Sequence, residues 1–154
     1  PSMMSDGAYH LACAKSCIVY ANDNAVLLRK YAASHQSVPT DVLTEQTAAM
    51  NFHLQAARNS YAKLAAAAKI QTDLKLQAEL LKQVDMIDQR LAKLNDMVKK
   101  LETHSPDADD IVKLTAAITK VLASSNADAR SVDDQFYDTK SSTYYENGLG
   151  HFAD

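Results

Sequence analysis

Apolar residues recur along most of this chain at alternating steps of three and four, the spacing of an amphipathic helix. Leu43, Thr47, Met50, Leu54, Ala57, Tyr61, Leu64 and Ala68 form one such stripe. Carried onward in phase, it lands on Gln71, Lys75, Ala78 and Lys82, a poor lining for a core. A second stripe restarts the spacing in a different phase, through Leu76, Leu80, Val84, Ile87, Leu91, Leu94, Val98 and Leu101. The break falls within Lys69–Asp73, where Thr72 or Asp73 can cap a new helix. The pattern therefore predicts a turn there. The competing reading is one long helix carrying a stutter, which changes supercoil winding without a turn.

Punctuation elsewhere is sparse. Pro39 disfavours helix at Val38, and Thr40 or Asp41 can cap the next helix. In the stretch His104–Asp110, Ser105 reads as an N-cap and Pro106 as the first helical residue, with Asp107, Asp109 and Asp110 favouring the positive helix end. A last stripe runs Ile111, Leu114, Ile118, Leu122, Ser125, Ala129, Val132, Phe136 and weakens at Ser124–Asn126, which predicts fraying or a kink. Four helices result, over 7–36, 40–69, 73–103 and 106–137, with a tail over 138–154. Each is about 30 residues, or about 45 Å, long. Matched rods joined by short connections predict an all-α, elongated antiparallel four-helix bundle with long coiled-coil-like helices and a short aromatic C-terminal tail.

Composition supports a single helical domain: 154 residues, 47% apolar, three Gly and three Pro. Charge is uneven. The segment 105–154 holds nine acids and four bases, whereas the rest sums to +2. No basic stripe invites nucleic acid. No apolar run is long enough to cross a bilayer, and no basic and apolar leader marks a signal peptide. Pro1-Ser2 ahead of Met3-Met4 reads as a remnant of tag removal. Two cysteines one turn apart are no disulfide framework. A soluble, cytoplasmic chain is the expectation.

The chemistry-bearing stretch is "HLACAKSCIVYAND", residues 10–23. His10, Cys13 and Cys17 share one helix face. Projected at about 100° per residue, Cys17 falls at the centre of the buried arc, beside Cys13, Ala14, Ala21, Leu28, Tyr31 and Ala32. His10, Asn24 and His35 fall on the same arc. Structural zinc needs four ligands, and His35 lies about 27 Å along the helix from Cys17. A further ligand has to come from His53, His104, His151 or a second subunit. Core packing is the plainer reading, since free Cys behaves as a small hydrophobe. Asn24 and His53 are expected inside the bundle, setting register.

Enzyme signatures are missing. The chain has four Glu, none followed by His three residues later, which excludes the di-iron pattern of helical bundles. No phosphate-cradling Gly loop, Gly-x-Ser-x-Gly or His-Glu-x-x-His occurs. Asp85, Asp88, Arg90, Lys93, Asp96 and Lys100 read as a solvated face with an Asp96–Lys100 pair.

Two features point outward. Val19, Val26, Phe52 and Ile70 lie off the stripes, while Leu74, Leu81, Met86 and Met97 widen the third; these offer a second packing surface for a partner or a second copy. The C-terminal segment Gln135–Asp154 gathers Phe136, Tyr137, Tyr144, Tyr145 and Phe152, half of the chain's ten aromatics. It either caps one bundle end or docks a partner. The expected function is non-enzymatic protein–protein interaction, as an adaptor, chaperone, immunity or assembly factor. The bacterial secretion and toxin setting is an analogy from fold class. The expected interaction residues are Phe136, Tyr137, Tyr144, Tyr145, Phe152, Phe52 and Ile70. A homo-oligomer is the second partner reading; no cofactor is expected. Two alternatives stand: a metal- or redox-binding bundle centred on His10, Cys13 and Cys17, and a membrane-active amphipathic protein.

Overall fold

In a computed structural model, which describes residues 4–70, 72–103 and 107–137, the chain folds into four helices. They are α1 (Asp6–Ala33), α2 (Thr40–Ala68), α3 (Leu74–Thr103) and α4 (Ala108–Phe136). No strand forms among the described residues; a lone backbone bridge joins Ser37 to Asp107. Each helix packs on two others, α1 on α2 and α4, α3 on α2 and α4.

Local chemistry sets the ends. Ser5 caps α1 by accepting from the Ala8 amide at 3.2 Å. α1 stops at Ala33, three residues short of the expectation, where the Ser34 hydroxyl donates back to the Lys30 carbonyl. The predicted turn between the two stripes is present. Asp73 caps α3, its carboxylate accepting from the Lys75 and Leu76 amides at 3.0 and 3.1 Å. Gln77 reaches across the turn and donates to the Lys69 and Ala68 carbonyls, serving the open end of α2.

Two expected caps are corrected. Neither Thr40 nor Asp41 caps α2. Pro39 holds the N-cap place with no side-chain bond, and Asp41 accepts only from the neighbouring Val42 amide. At α4 the cap is Asp107, which accepts from the Asp110 amide at 3.1 Å, so the helix starts two residues later than Ser105 would place it. Asp is as good an N-cap as Ser, and the bridge to Ser37 holds the Asp107 backbone extended.

The stripes become the core. All eight residues of the α2 stripe are buried, as are Leu80 through Leu101 of the α3 stripe. Leu76 is the exception, 45% exposed in the first turn of α3. On α4, Ile111, Ile118, Leu122, Ser125, Ala129 and Val132 are buried, while Leu114 and Phe136 sit half-buried and Thr115 takes an interior place. The expected fraying at Ser124–Asn126 is absent, and α4 runs unbroken to Phe136. Ser125 and Asn126 are fully buried, and the Asn126 amide donates to the Lys15 carbonyl on α1 at 3.1 Å. That bond anchors the polar stretch instead of letting it open.

Helix α1 is turned from its expected face. Leu11, Ala14, Ile18, Ala21, Ala25 and Leu28 form the interior arc; Cys13, Cys17 and Tyr31 lie on its edge, and His35 is exposed beyond the helix. Helical projection weighs apolar residues equally and cannot know that a polar pair, Lys15 and Asn22, also faces inward. The interior polar residues are therefore not Asn24 and His53, which stand half-buried, but Lys15, Asn22, Asn126 and Asp133 among others.

Asn22 is fully buried, and neither its amide nitrogen nor its oxygen meets a protein partner. An unsatisfied buried amide costs about 1–3 kcal/mol, and an apolar group of similar shape does not carry that cost. Asn22→Leu is expected to raise the unfolding free energy by about 1 kcal/mol or more, measured by urea denaturation; a fall in the midpoint contradicts it. Asp73→Ala should cost about 1 kcal/mol by removing the α3 cap, and an unchanged denaturation midpoint would show that the cap contributes nothing.

Candidate interaction face

Charge is distributed very unevenly between helices. Between Asp6 and Asp23, α1 carries a single charged residue, the buried Lys15. Between Glu45 and Arg58, α2 carries none. α3, by contrast, holds eleven among its 30 residues. The uncharged stretches meet on one side of the bundle, where Tyr20 lies against His53 with ring centroids 5.5 Å apart. Asn24 donates to Gln46 beside them at 3.1 Å.

The spacing of α1 builds this face. Tyr9, Cys13, Ser16, Tyr20 and Leu27 follow helical steps along its outer side, and Tyr9, Tyr20 and Leu27 are each more than half exposed. His10, Cys17, Asn24 and Tyr31 repeat every seven residues at the edge facing α2, all half-buried. From α2 come the half-buried Gln46, Ala49, His53, Ala56 and Ser60. Phe52, 70% exposed, meets His53 edge-on. The result is a surface in which small half-buried side chains lie between exposed aromatic and aliphatic ones.

Two of its half-buried groups are shifted toward their neutral forms. Burial lowers the pKa of the His53 imidazole. Burial, then the neighbouring Cys13, raises that of the Cys17 thiol, so at neutral pH it is a thiol and not the reactive thiolate. Tyr9 is raised as well, first by its hydrogen bond with Cys13. Both cysteines are free.

The sequence-predicted site residues separate. Among the described residues no group of three or more His, Cys, Asp or Glu is placed to hold a metal. His53 belongs to Tyr20 and Phe52, not to the His10–Cys13 end of α1. His104 and His151 lie outside the described residues, as do Tyr144, Tyr145 and Phe152 of the tail. Phe52 and Ile70 are surface residues, Ile70 at 81% exposure. Phe136 and Tyr137 pack against the core, and the Tyr137 ring closes on Gly7 so tightly that a methyl group there would collide with its hydroxyl.

Of the α3 face expected to be solvated, Asp85, Lys93, Asp96 and Lys100 are exposed, while Asp88 and Arg90 are tied to neighbouring helices. Arg58 of α2 grips Asp88 through two hydrogen bonds, at 2.9 and 3.3 Å, and Arg90 pairs with Asp128 of α4. The first pair stands over a groove of about 490 Å³ between α2 and α3, whose charges Arg58 and Asp88 largely neutralise within it. Tyr61 lines that groove with its hydroxyl buried and unpartnered. The interior polar residues were the feature sequence reasoning missed. Their signal was a repeat: Lys15 and Asn22 are seven residues apart, as are Asn126 and Asp133.

No helix of the described residues is long and apolar enough to cross a membrane. Comparison with protein-family models, with curated proteins and with solved structures finds no match to this chain.

The depressed His53 pKa has a pH consequence. The unfolded chain binds this proton at a higher pH than the folded one, so stability is full above about pH 6.5 and falls as the pH drops through the lowered folded value. The thermal midpoint of the wild type should therefore fall more on acidification from neutral pH than that of His53→Gln. Parallel curves would mean that burial of His53 does not govern acid sensitivity.

Proposed function

We propose that this protein acts by binding another protein through the α1–α2 face, as a non-enzymatic interaction bundle of the adaptor, chaperone, immunity or assembly type. The supporting observation is the charge-poor face centred on Tyr20 and His53, with Tyr9 and Phe52 exposed along it. Interface cores are depleted in charge and enriched in aromatic residues. The small side chains of Ala49, Ala56, Cys13, Cys17, Ser16 and Ser60 give a partner helix close backbone approach, as small residues do wherever helices pack tightly. The partner this chemistry fits is an apolar or aromatic helix, with little need for charge pairing. The groove at Arg58–Asp88 is a poorer candidate, because charge lines it: Arg58 and Asp88 pair with each other and Asp85 stands in the same wall.

The test replaces Phe52 with a photo-reactive amino acid, and Lys99 on the charged α3 face as a control, in extracts of the encoding organism. A discrete adduct is expected at position 52 and not at 99. The adducted protein, once purified, should bind wild type and lose roughly tenfold or more in affinity for Phe52→Asp. Because Phe52 is exposed, that variant's stability should stay within about 0.5 kcal/mol of wild type. Equal labelling at both positions, or unchanged affinity of Phe52→Asp, would reject this face.

A further inference from the structure

Among the described residues, one end of the bundle gathers exposed apolar side chains. Met4, Tyr9, Ile70, Leu74 and Leu76 are five of the nine large apolar side chains exposed among the described residues. All lie at the end where α1 begins, α2 turns into α3 and α4 stops. Ile70 and Leu74, at 81% and 74% exposure, flank the α2–α3 turn itself.

The cause is a mismatch of helix lengths at that end. Between α3 and α4, Arg90 meets Asp128 and Gln83 meets Gln135, so seven residues back along α3 match seven forward along α4. At that pace Phe136, the last residue of α4, is level with Lys82. α3, however, starts eight residues earlier, at Leu74. Its first two turns, about 12 Å, therefore extend past the end of α4. They carry Leu76 seven residues before Gln83, on the side that faces α4, and Leu74 seven residues before Leu81, on the side that faces α2.

We infer that the chain's own C-terminal segment, Asp138–Asp154, covers the α4-facing side of this overhang, with Tyr144 and Tyr145 closing over Leu76. The segment leaves α4 at the right place, because Phe136 and Tyr137 are packed into the bundle at this end. The reach is sufficient in any conformation. Tyr144 is seven residues beyond Tyr137, which span about 11 Å as helix and up to about 24 Å extended. Continued in register, Leu76 falls level with Ser142, within one turn of Tyr144 and Tyr145. Charge agrees too: the segment holds Asp138, Glu146 and Asp154 against Lys140. The overhang exposes Lys69 and Lys75, while the one acid between them, Asp73, is engaged as the α3 cap. This contact is independent of the α1–α2 face.

The test puts p-benzoylphenylalanine at Leu76 of the full chain. Trypsin cuts after Lys140 and leaves Ser141–Asp154 as one peptide. Illumination is expected to join that peptide to the one carrying position 76, within a single copy, in a yield that does not change on dilution. Tyr144→Ser with Tyr145→Ser should cut the yield by roughly fivefold or more, with helix content by circular dichroism unchanged. Adducts only between two copies would replace the tail by a second molecule as the occupant. No adduct, or adducts scattered over the helices, would overturn the inference outright.

Discussion

The close approach of α1 to both neighbours is the constraint on which the bundle depends. Its interior arc is made largely of Gly7, Ala8, Ala12, Ala14, Ala21, Ala25 and Ala32, with Leu11, Ile18 and Leu28 between them. Small side chains bury little apolar area. What they allow is contact of backbone with side chain: Tyr137 of α4 lies directly on Gly7, and Asn126 reaches the Lys15 carbonyl. The larger apolar volume comes from α2, α3 and α4. A bulkier α1 would separate the helices and strand those polar groups.

That closeness also explains the interior polar seam. Lys15 and Asn22 on α1 and Asn126 and Asp133 on α4 are all buried. The helix pair is bonded through a main-chain carbonyl, which only a close neighbour can reach. Burying such groups is costly, so they add little net stability. They do penalise any slip of α1 along α4, because a shifted register would leave more of them unpaired.

The surface divides in a corresponding way. On one side the charges of α3 cross to their neighbours, Arg58 to Asp88 and Arg90 to Asp128. On the other, the stretches of α1 and α2 around Tyr20 and His53 carry little charge, and burial shifts Cys17 and His53 toward their neutral forms. A surface of small and aromatic side chains loses little solvation when covered, and this is the basis on which it is proposed to bind a partner.

The α2 stripe, the seven buried residues of α3 and the turn at Asp73 follow from the sequence alone, because periodicity and capping act over a few residues and need no neighbour. So does the all-α fold. The rotation of α1, with Cys17 moved from the centre of the arc to its edge, was decided by tertiary packing: six alanines leave the apolar face ill-defined until another helix selects it. The same holds for Ser125 and Asn126, read from sequence as a weak point and held in the structure by a bond to Lys15, 111 residues away. Phe52 was legible as an outward residue. That it shares a charge-poor face with Tyr20 and His53 was not, because a face built by two helices exists only once their register is set.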